Sequence, residues 1–340
     1  MRTKELESVA RSLVEKGKGI LAADESSPTI EKRFKSIDLP SSEANRRAYR
    51  ELLFTTPGSS EFISGVILFD ETIRQKAKDG TPFPEVLSRQ GIVPGIKVDN
   101  GAKPLAGFPG EKITEGLDGL RERLSEYREM GARFAKWRAV IAIGDGIPTA
   151  CCLKANAHAL ARYAALCQET GLVPIVEPEV LMDGPHTIER CEEVTTAALD
   201  LVFSELLEHR VPLEGILLKP NMVLSGKECP KQADAASVAR VTVRTLRRVV
   251  PSAVPGIVFL SGGQSPEQAT LNLSAMNALG RHPWELSFSY GRALQEPVLK
   301  GWKGDPARVD VAQKAFYHRA KLNNAARFGK YTKEMEATAS

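Results

Sequence analysis

The sequence predicts an α/β fold, a closed (β/α)8 TIM barrel of eight parallel strands with outer helices, and three observations carry that expectation. Eight short β-type runs recur along the 340 residues, and several are nearly continuous in apolar residues, as strands covered on both faces are. Helical patterns lie between many of them. No low-complexity segment or linker divides the chain, so a single barrel domain over residues 1–340 is expected, with a short C-terminal tail from about 328 to 340. Eight strands alternating with helices over this length fit a barrel with insertions; an open doubly wound sheet is the competing arrangement.

The elements follow in order. Leu6, Val9, Ala10, Leu13 and Val14 repeat at helical spacing before Gly17, and this helix is expected to cover one end of the barrel. The strand runs are 19–24 (GILAAD), 63–70 (ISGVILFD), 91–99 (GIVPGIKVD), 133–141 (RFAKWRAVI), 172–180 (LVPIVEPEV), 215–221 (GILLKPN), 256–263 (GIVFLSGG) and 284–292 (WELSFSYGR). Between the third and fourth, Leu117, Leu120, Leu124 and Tyr127 mark a helix closed by Gly131, a residue free to take the left-handed cap conformation. After the seventh, Ser265-Pro266-Glu267-Gln268 places a capping serine, a proline at the first helical position and a glutamine three residues past the cap. A helix starts there, directly after Gly262 and Gly263.

Composition narrows the functional classes. The chain is 42% hydrophobic and 26% charged, an ordinary balance, and it lacks both a long apolar signal segment and any run of about 18 apolar residues. A cytoplasmic protein with no membrane association is expected. The five cysteines, Cys151, Cys152, Cys167, Cys191 and Cys229, form no CxxC pair and read as reduced thiols. The formal net charge of +4 is spread among acids without a basic block, which favours a small anionic ligand over nucleic acid.

In barrels of this kind the chemistry sits at the C-terminal ends of the strands. Almost every run here ends in a polar residue: Asp24; Asp70 and Glu71; Lys97 and Asp99; Lys136 and Arg138; Glu177 and Glu179; Lys219; Ser261; Arg292. Residues two apart on a strand share a face, so Lys136 pairs with Arg138 and Glu177 with Glu179, while Trp137 and Pro178 face away. A single such pair could be an interior salt bridge. Convergence of both signs from nearly every strand around one cavity is the mark of a site. Lys219 ends an apolar run with no charge in the four preceding residues. Desolvation and a nearby cation, for which Lys136 is the candidate, both disfavour an ammonium, and the free amine is a nucleophile toward carbonyl carbon.

The segment FLSGGQSPEQ brings Ser261, Gly262 and Gly263 to a strand end just before a capped helix, so backbone N–H groups and the positive helix end face one anion. Arg292, after Ser289-Tyr290-Gly291 on the neighbouring run, adds the forked donor that phosphate prefers. Lys32 and Arg33 follow Asp24-Glu25-Ser26 as a second basic cluster, either an exposed helix face or another phosphate contact. The histidines His158, His186, His209, His282 and His318 fall outside the strand ends, and no two stand at HxxxH spacing. With no cysteine cluster to compensate, no metal site is expected, and acid and base work falls to Glu177, Glu179, Asp24 and the lysines.

Together the motifs ILAADES, GVILF, GIKVD, FAKWR, VPIVEPE, LLKPNM, FLSGGQS and FSYGRAL, in that order from residue 17 to GKY at 329–331, resemble class I fructose-bisphosphate aldolase. The resemblance implies reversible aldol cleavage of fructose 1,6-bisphosphate, in glycolysis or gluconeogenesis, through a lysine Schiff base with no metal or other cofactor. It implies that Lys219 forms the Schiff base, that Glu177 is the acid/base for dehydration, with Lys136 and Glu179 in the proton network, and that Asp24 takes the C4 hydroxyl proton. Ser261, Gly262, Gly263, Ser289, Gly291 and Arg292 match positions around the C1 phosphate. Lys97 and Ser26 match contacts at the C6 end, with Lys32, Arg33, Arg46 and Arg138 as further helpers. A homotetramer is implied as well. The chain departs from the family in three places: it closes on MEATAS where many members carry a terminal tyrosine, it has Pro28 where glycine is common, and it has Asn100 where lysine commonly follows KVD.

Overall fold

Among residues 2–338, which the computed structural model describes, ten strands form: β1 (Gly19–Ala23), β2 (Ile63–Leu68), β3 (Val93–Lys97), β4 (Ala102–Pro104), β5 (Lys112–Thr114), β6 (Phe134–Ile141), β7 (Val173–Val180), β8 (Leu217–Leu218), β9 (Gly256–Phe259) and β10 (Glu285–Tyr290). Eight of them close into a barrel in the order β1-β10-β9-β8-β7-β6-β3-β2, and β4 and β5 pair separately. Every barrel pairing is parallel. The expected (β/α)8 barrel is the observed one. The longest pairing runs β6 beside β7 from Phe134↔Val173 to Ile141↔Val180, which sets Arg138 opposite Glu177. Residues 339–340 of the expected tail lie outside the described residues.

The barrel is closed at its N-terminal end. The helix Arg2–Leu13 contributes Leu6, Ala10 and Leu13, followed by Val14, to a buried cluster with Ile20, Ile67, Phe134, Ile175 and Val258 from five strands. Phe134 needs bare backbone opposite it: a Cβ on Gly95 would lie 2.3 Å from its ring, and one on Gly65 3.2 Å away. Glycine is required there by contact distance, not by backbone angle. Outside the barrel, Trp137 packs on Tyr163 of the helix Ala150–Thr170, with ring centroids 5.6 Å apart. With one end plugged by apolar side chains, the polar strand ends can meet only at the other.

The structure departs from the sequence expectations mainly at element ends. The run 215–221 shortens to Leu217–Leu218, because Leu213–Gly215 is a 3₁₀ turn and Pro220 has no N–H to donate. Lys219 still donates its N–H to the Val176 carbonyl at 2.8 Å, so it continues the sheet without ideal pairing. Asp70 and Arg292 were expected at strand ends and are instead the first residues of the helices Asp70–Arg74 and Arg292–Trp302. The helix through Leu124 begins at Leu120, behind a left-handed Gly119. Leu117 stays outside it. The helix at Pro266 forms as expected, with Ser265 accepting from the Gln268 N–H at 3.1 Å. The β4–β5 hairpin had no sequence signal, being two three-residue strands without alternation.

Candidate active site

A cavity of ≈ 780 Å³ opens at the C-terminal end of the barrel, and its walls include Asp24, Ser26, Lys97, Lys136, Arg138, Glu177, Glu179, Lys219, Ser261 and Arg292. The size suits a small ligand. A wider groove of ≈ 910 Å³ runs along the helix Val309–Arg327, past Thr56, Lys314 and Tyr317, and no strand end reaches it.

The centre of the cavity is a chain of alternating charge. Lys219 Nζ lies 3.3 Å from Glu177 Oε1, Glu177 Oε2 lies 3.4 Å from Lys136 Nζ, and Lys136 Nζ lies 2.7 Å from Asp24 Oδ2. Lys219, Glu177 and Lys136 are buried, each at or below 4% exposure. Glu177 Oε2 makes no hydrogen bond. A carboxylate oxygen in that condition is available to a ligand. The expectation that Lys136 would be the cation beside Lys219 thus has a geometric form: the two lysine nitrogens share one carboxylate.

The charges set one another. Burial alone would raise the Asp24 carboxyl, but Lys136, Lys219 and Lys97 outweigh it and hold the group well below the usual carboxylate range. Burial alone would lower Lys136, and Asp24, Glu177 and Asp99 reverse that, holding it well above the usual lysine value. At neutral pH Asp24 is an anion and Lys136 a cation. Arg138, a half-exposed side chain, bonds Glu179 through Nε, and Glu179 and Glu177 beside it hold its guanidinium in the charged form.

One side of the cavity gathers hydrogen-bond donors of the kind that suit an anion. Gly262 and Gly263 follow Ser261 with φ of 48° and 83°, a left-handed pair that turns the chain between β9 and the helix Pro266–Ala278. Across from them, the helix Arg292–Trp302 starts at Gly291 with no side-chain cap, leaving first-turn N–H groups for a ligand. Ser289 Oγ is buried and without a hydrogen bond. Arg292 holds only a 3.4 Å contact to the Gln264 carbonyl. Arg33 comes here as well, since a Cβ on Gly291 would lie 3.6 Å from its Nη2. On the other side, Lys97 Nζ bonds Asp99 Oδ1 at 2.6 Å, and Ser26 Oγ lies 3.2 Å from Thr29 Oγ1.

Two expected phosphate helpers stand off the cavity walls. Lys32 is on the exposed face of the helix Ser27–Lys35. Arg46 is engaged by both Glu71 oxygens and by the Ser41 carbonyl. The structure also shows partners that carried no sequence signal. Glu25 is buried between Arg33, Arg50 and Gln295, and Gln295 also donates to the Ala22 carbonyl at 2.7 Å. Asp99 orients Lys97 and accepts from the Arg138 N–H at 3.3 Å. Both acids were visible in the sequence. The Glu25 partners Arg33, Arg50 and Gln295 come from helices, whereas Asp99 is met by Lys97 and Arg138 from β3 and β6.

Tyr331 lies away from this cavity. It is buried, its hydroxyl donates to Glu336 Oε1 at 2.6 Å, and its N–H donates to Ser274 Oγ at 3.2 Å. Among the described residues no helix is long and apolar enough to cross a membrane.

Comparison with known proteins agrees with this geometry. The family model for class I fructose-bisphosphate aldolase matches residues 5–340. A probable class 1 fructose-bisphosphate aldolase of Xanthomonas axonopodis pv. citri is 59% identical over 332 residues, covering 97% of this chain and 99% of the relative. The fructose-bisphosphate aldolase of Dictyostelium discoideum is 56% identical over 339 residues, covering 99% and 95%. A solved structure of fructose-bisphosphate aldolase from Plasmodium falciparum, in complex with TRAP and a small-molecule inhibitor, superposes with a TM-score of 0.96 at 53% identity, covering 97% of this chain and 96% of that one. A cavity with two buried lysines about one glutamate, on a barrel this close to solved aldolases, leaves one conclusion: the chain belongs to the class I fructose-bisphosphate aldolase family.

Proposed function

We propose that the chain catalyses reversible cleavage of D-fructose 1,6-bisphosphate to dihydroxyacetone phosphate and D-glyceraldehyde 3-phosphate, with Lys219 as the Schiff-base residue. The observation that carries this reading is Glu177 set between Lys219 and Lys136, 3.3 and 3.4 Å from their nitrogens. The Lys219 amine adds to the C2 carbonyl, and Glu177 gives a proton to the carbinolamine hydroxyl so that water leaves and an iminium forms. Asp24 takes the proton of the C4 hydroxyl as the C3–C4 bond breaks. The bonding pair moves into the iminium to give an enamine, and glyceraldehyde 3-phosphate departs. Protonation at C3 regenerates an iminium, and hydrolysis releases dihydroxyacetone phosphate and the free lysine.

The iminium is itself the electron sink, so the cycle requires no metal or other cofactor. Lys136 keeps its proton and neutralises Asp24 and Glu177 in turn, while Arg138 holds Glu179 beside the network. Ser261, Gly262, Gly263, Ser289, Gly291 and Arg292 form the C1-phosphate seat, with Arg33 beside it. Ser26, Lys97 and Arg138 serve the C6 end, and Lys32 and Arg46 act at longer range. The substrate is a phosphorylated sugar, with no role for nucleic acid or membrane. Relatives described as cytosolic support a cytoplasmic enzyme, and family membership supports a homotetramer.

Borohydride reduction with dihydroxyacetone phosphate, followed by peptide mass analysis, should place a stable adduct on Lys219. Cleavage that survives Lys219→Ala and disappears on chelation would overturn the mechanism.

A further inference from the structure

We propose that His158, Glu205 and His209 form a binding site for a divalent transition metal on the outer face of the barrel, tying the helix Ala150–Thr170 to the end of the helix Ile188–Glu208. None of the three lines the cavity at the strand ends, so the site is separate from the aldol chemistry. One ligand atom from each residue lies within 4.8 Å of the others. His158 Nδ1 is 3.1 Å and His209 Nδ1 3.6 Å from the same oxygen, Glu205 Oε2. The two imidazoles meet edge to face with centroids 5.0 Å apart.

Two features go beyond proximity. His209 Nδ1 also lies 2.9 Å from the backbone carbonyl of Glu205. That contact fixes the ring against the Glu205 carboxylate, and the metal takes Nδ1, the nitrogen 3.6 Å from Glu205 Oε2, in exchange for it. His209 is moreover the C-cap of its helix, where the negative end of the helix dipole favours a cation. Two imidazoles and a carboxylate suit zinc, cobalt or nickel, whereas magnesium and calcium prefer all-oxygen shells.

The geometry needs a small closure. Zinc bonds of about 2.0–2.2 Å in a tetrahedron hold neighbouring ligand atoms roughly 3.4 Å apart. The ligand set is up to 4.8 Å across, so it contracts by up to about 1.4 Å, a change within rotamer adjustment for side chains at the surface. The fourth position is open to water. His158 and Glu205 stand 47 residues apart, so binding would cross-link two helices and add to their stability by mass action.

The test uses the untagged full-length chain at about pH 7.5, where unperturbed imidazoles are neutral. Cobalt(II) is titrated while its visible absorption is followed, zinc binding is measured by calorimetry, and thermal melts are recorded with and without zinc. The expected result is one equivalent bound with a low-symmetry cobalt spectrum and a raised Tm. In the His158→Gln/His209→Gln double variant, affinity falls at least roughly tenfold and the Tm rise disappears, while aldol cleavage is unchanged. Failure of the wild-type chain to bind one equivalent, or equal binding by wild type and double variant, overturns the site.

Discussion

At the scale of single residues, Glu177 has the most demanding position, since both its oxygens face lysine nitrogens and one of them has no hydrogen bond. Replacing it with glutamine keeps the shape and removes the transferable proton. Glu177→Gln should slow Schiff-base formation by about 10²–10⁴-fold, the usual worth of general acid–base catalysis, with KM much less affected; single-turnover trapping separates the two. Asp24 makes a prediction about pH. Its carboxyl is depressed in the folded state, so its contribution to stability is complete above the ordinary carboxylate pKa of about 3.9 and declines as pH falls below that value. Denaturant titrations between neutral and acid pH should show a shallower acid decline for Asp24→Asn than for wild type. The cysteines differ in the same manner. Burial and the neighbouring Glu111 push the Cys152 thiol up to about 11, and burial raises Cys167 and Cys191, while Cys151 is exposed. A limiting alkylating reagent at neutral pH should therefore label Cys151 first, as peptide mapping will show.

At the scale of elements, the strands are held apart by what they must accommodate. Phe134 on β6 fills the space beneath the cavity only because β2 and β3 present Gly65 and Gly95 to it. Gly95→Ala puts a methyl group where the ring already is, and overpacking of this kind costs about 1–3 kcal/mol; a lowered denaturation midpoint with unchanged m-value checks it. The helix Pro266–Ala278 joins stability to binding, because its Ser265 cap lies two residues past Gly263. Loss of an N-cap costs about 1 kcal/mol. Ser265→Ala should lower stability by that amount and raise KM for phosphorylated substrates more than it lowers kcat. These elements were legible to different degrees. The helices Arg2–Leu13 and Pro266–Ala278 were plain, because apolar spacing and cap residues act within a few positions. Strand ends were not, because pairing is decided by the neighbour: the run 215–221 kept only two paired residues, and Asp70 and Arg292 went to helices.

For the whole molecule, a buried cation helps tie the C-terminal segment to the barrel, beside the bond from the Tyr331 N–H to Ser274. Arg319, 3% exposed, holds both oxygens of Glu336 at 2.6 and 2.7 Å, and also reaches the Pro266 carbonyl and Thr270 of the helix behind the anion seat. Removing the carboxylate takes away a charge-assisted pair that is buried on the arginine side and part-exposed on the other, a loss of about 1.5–3 kcal/mol. Glu336→Ala should depress Tm markedly while kcat with fructose 1,6-bisphosphate stays close to wild type. The sequence by itself determined the barrel, its plugged end and the charged residues at its mouth, because alternation, apolar runs and polar strand ends are local properties of the chain. Lys219, Glu177, Asp24 and Lys136 were all evident from it. How they pair is set by the three-dimensional fold: Glu177 stands between two lysines, Arg33 lies beside Gly291 while Arg46 goes to Glu71, and His158 meets Glu205 and His209. These are contacts between residues distant in the chain, set by strand register and helix packing, and no spacing along the sequence encodes them.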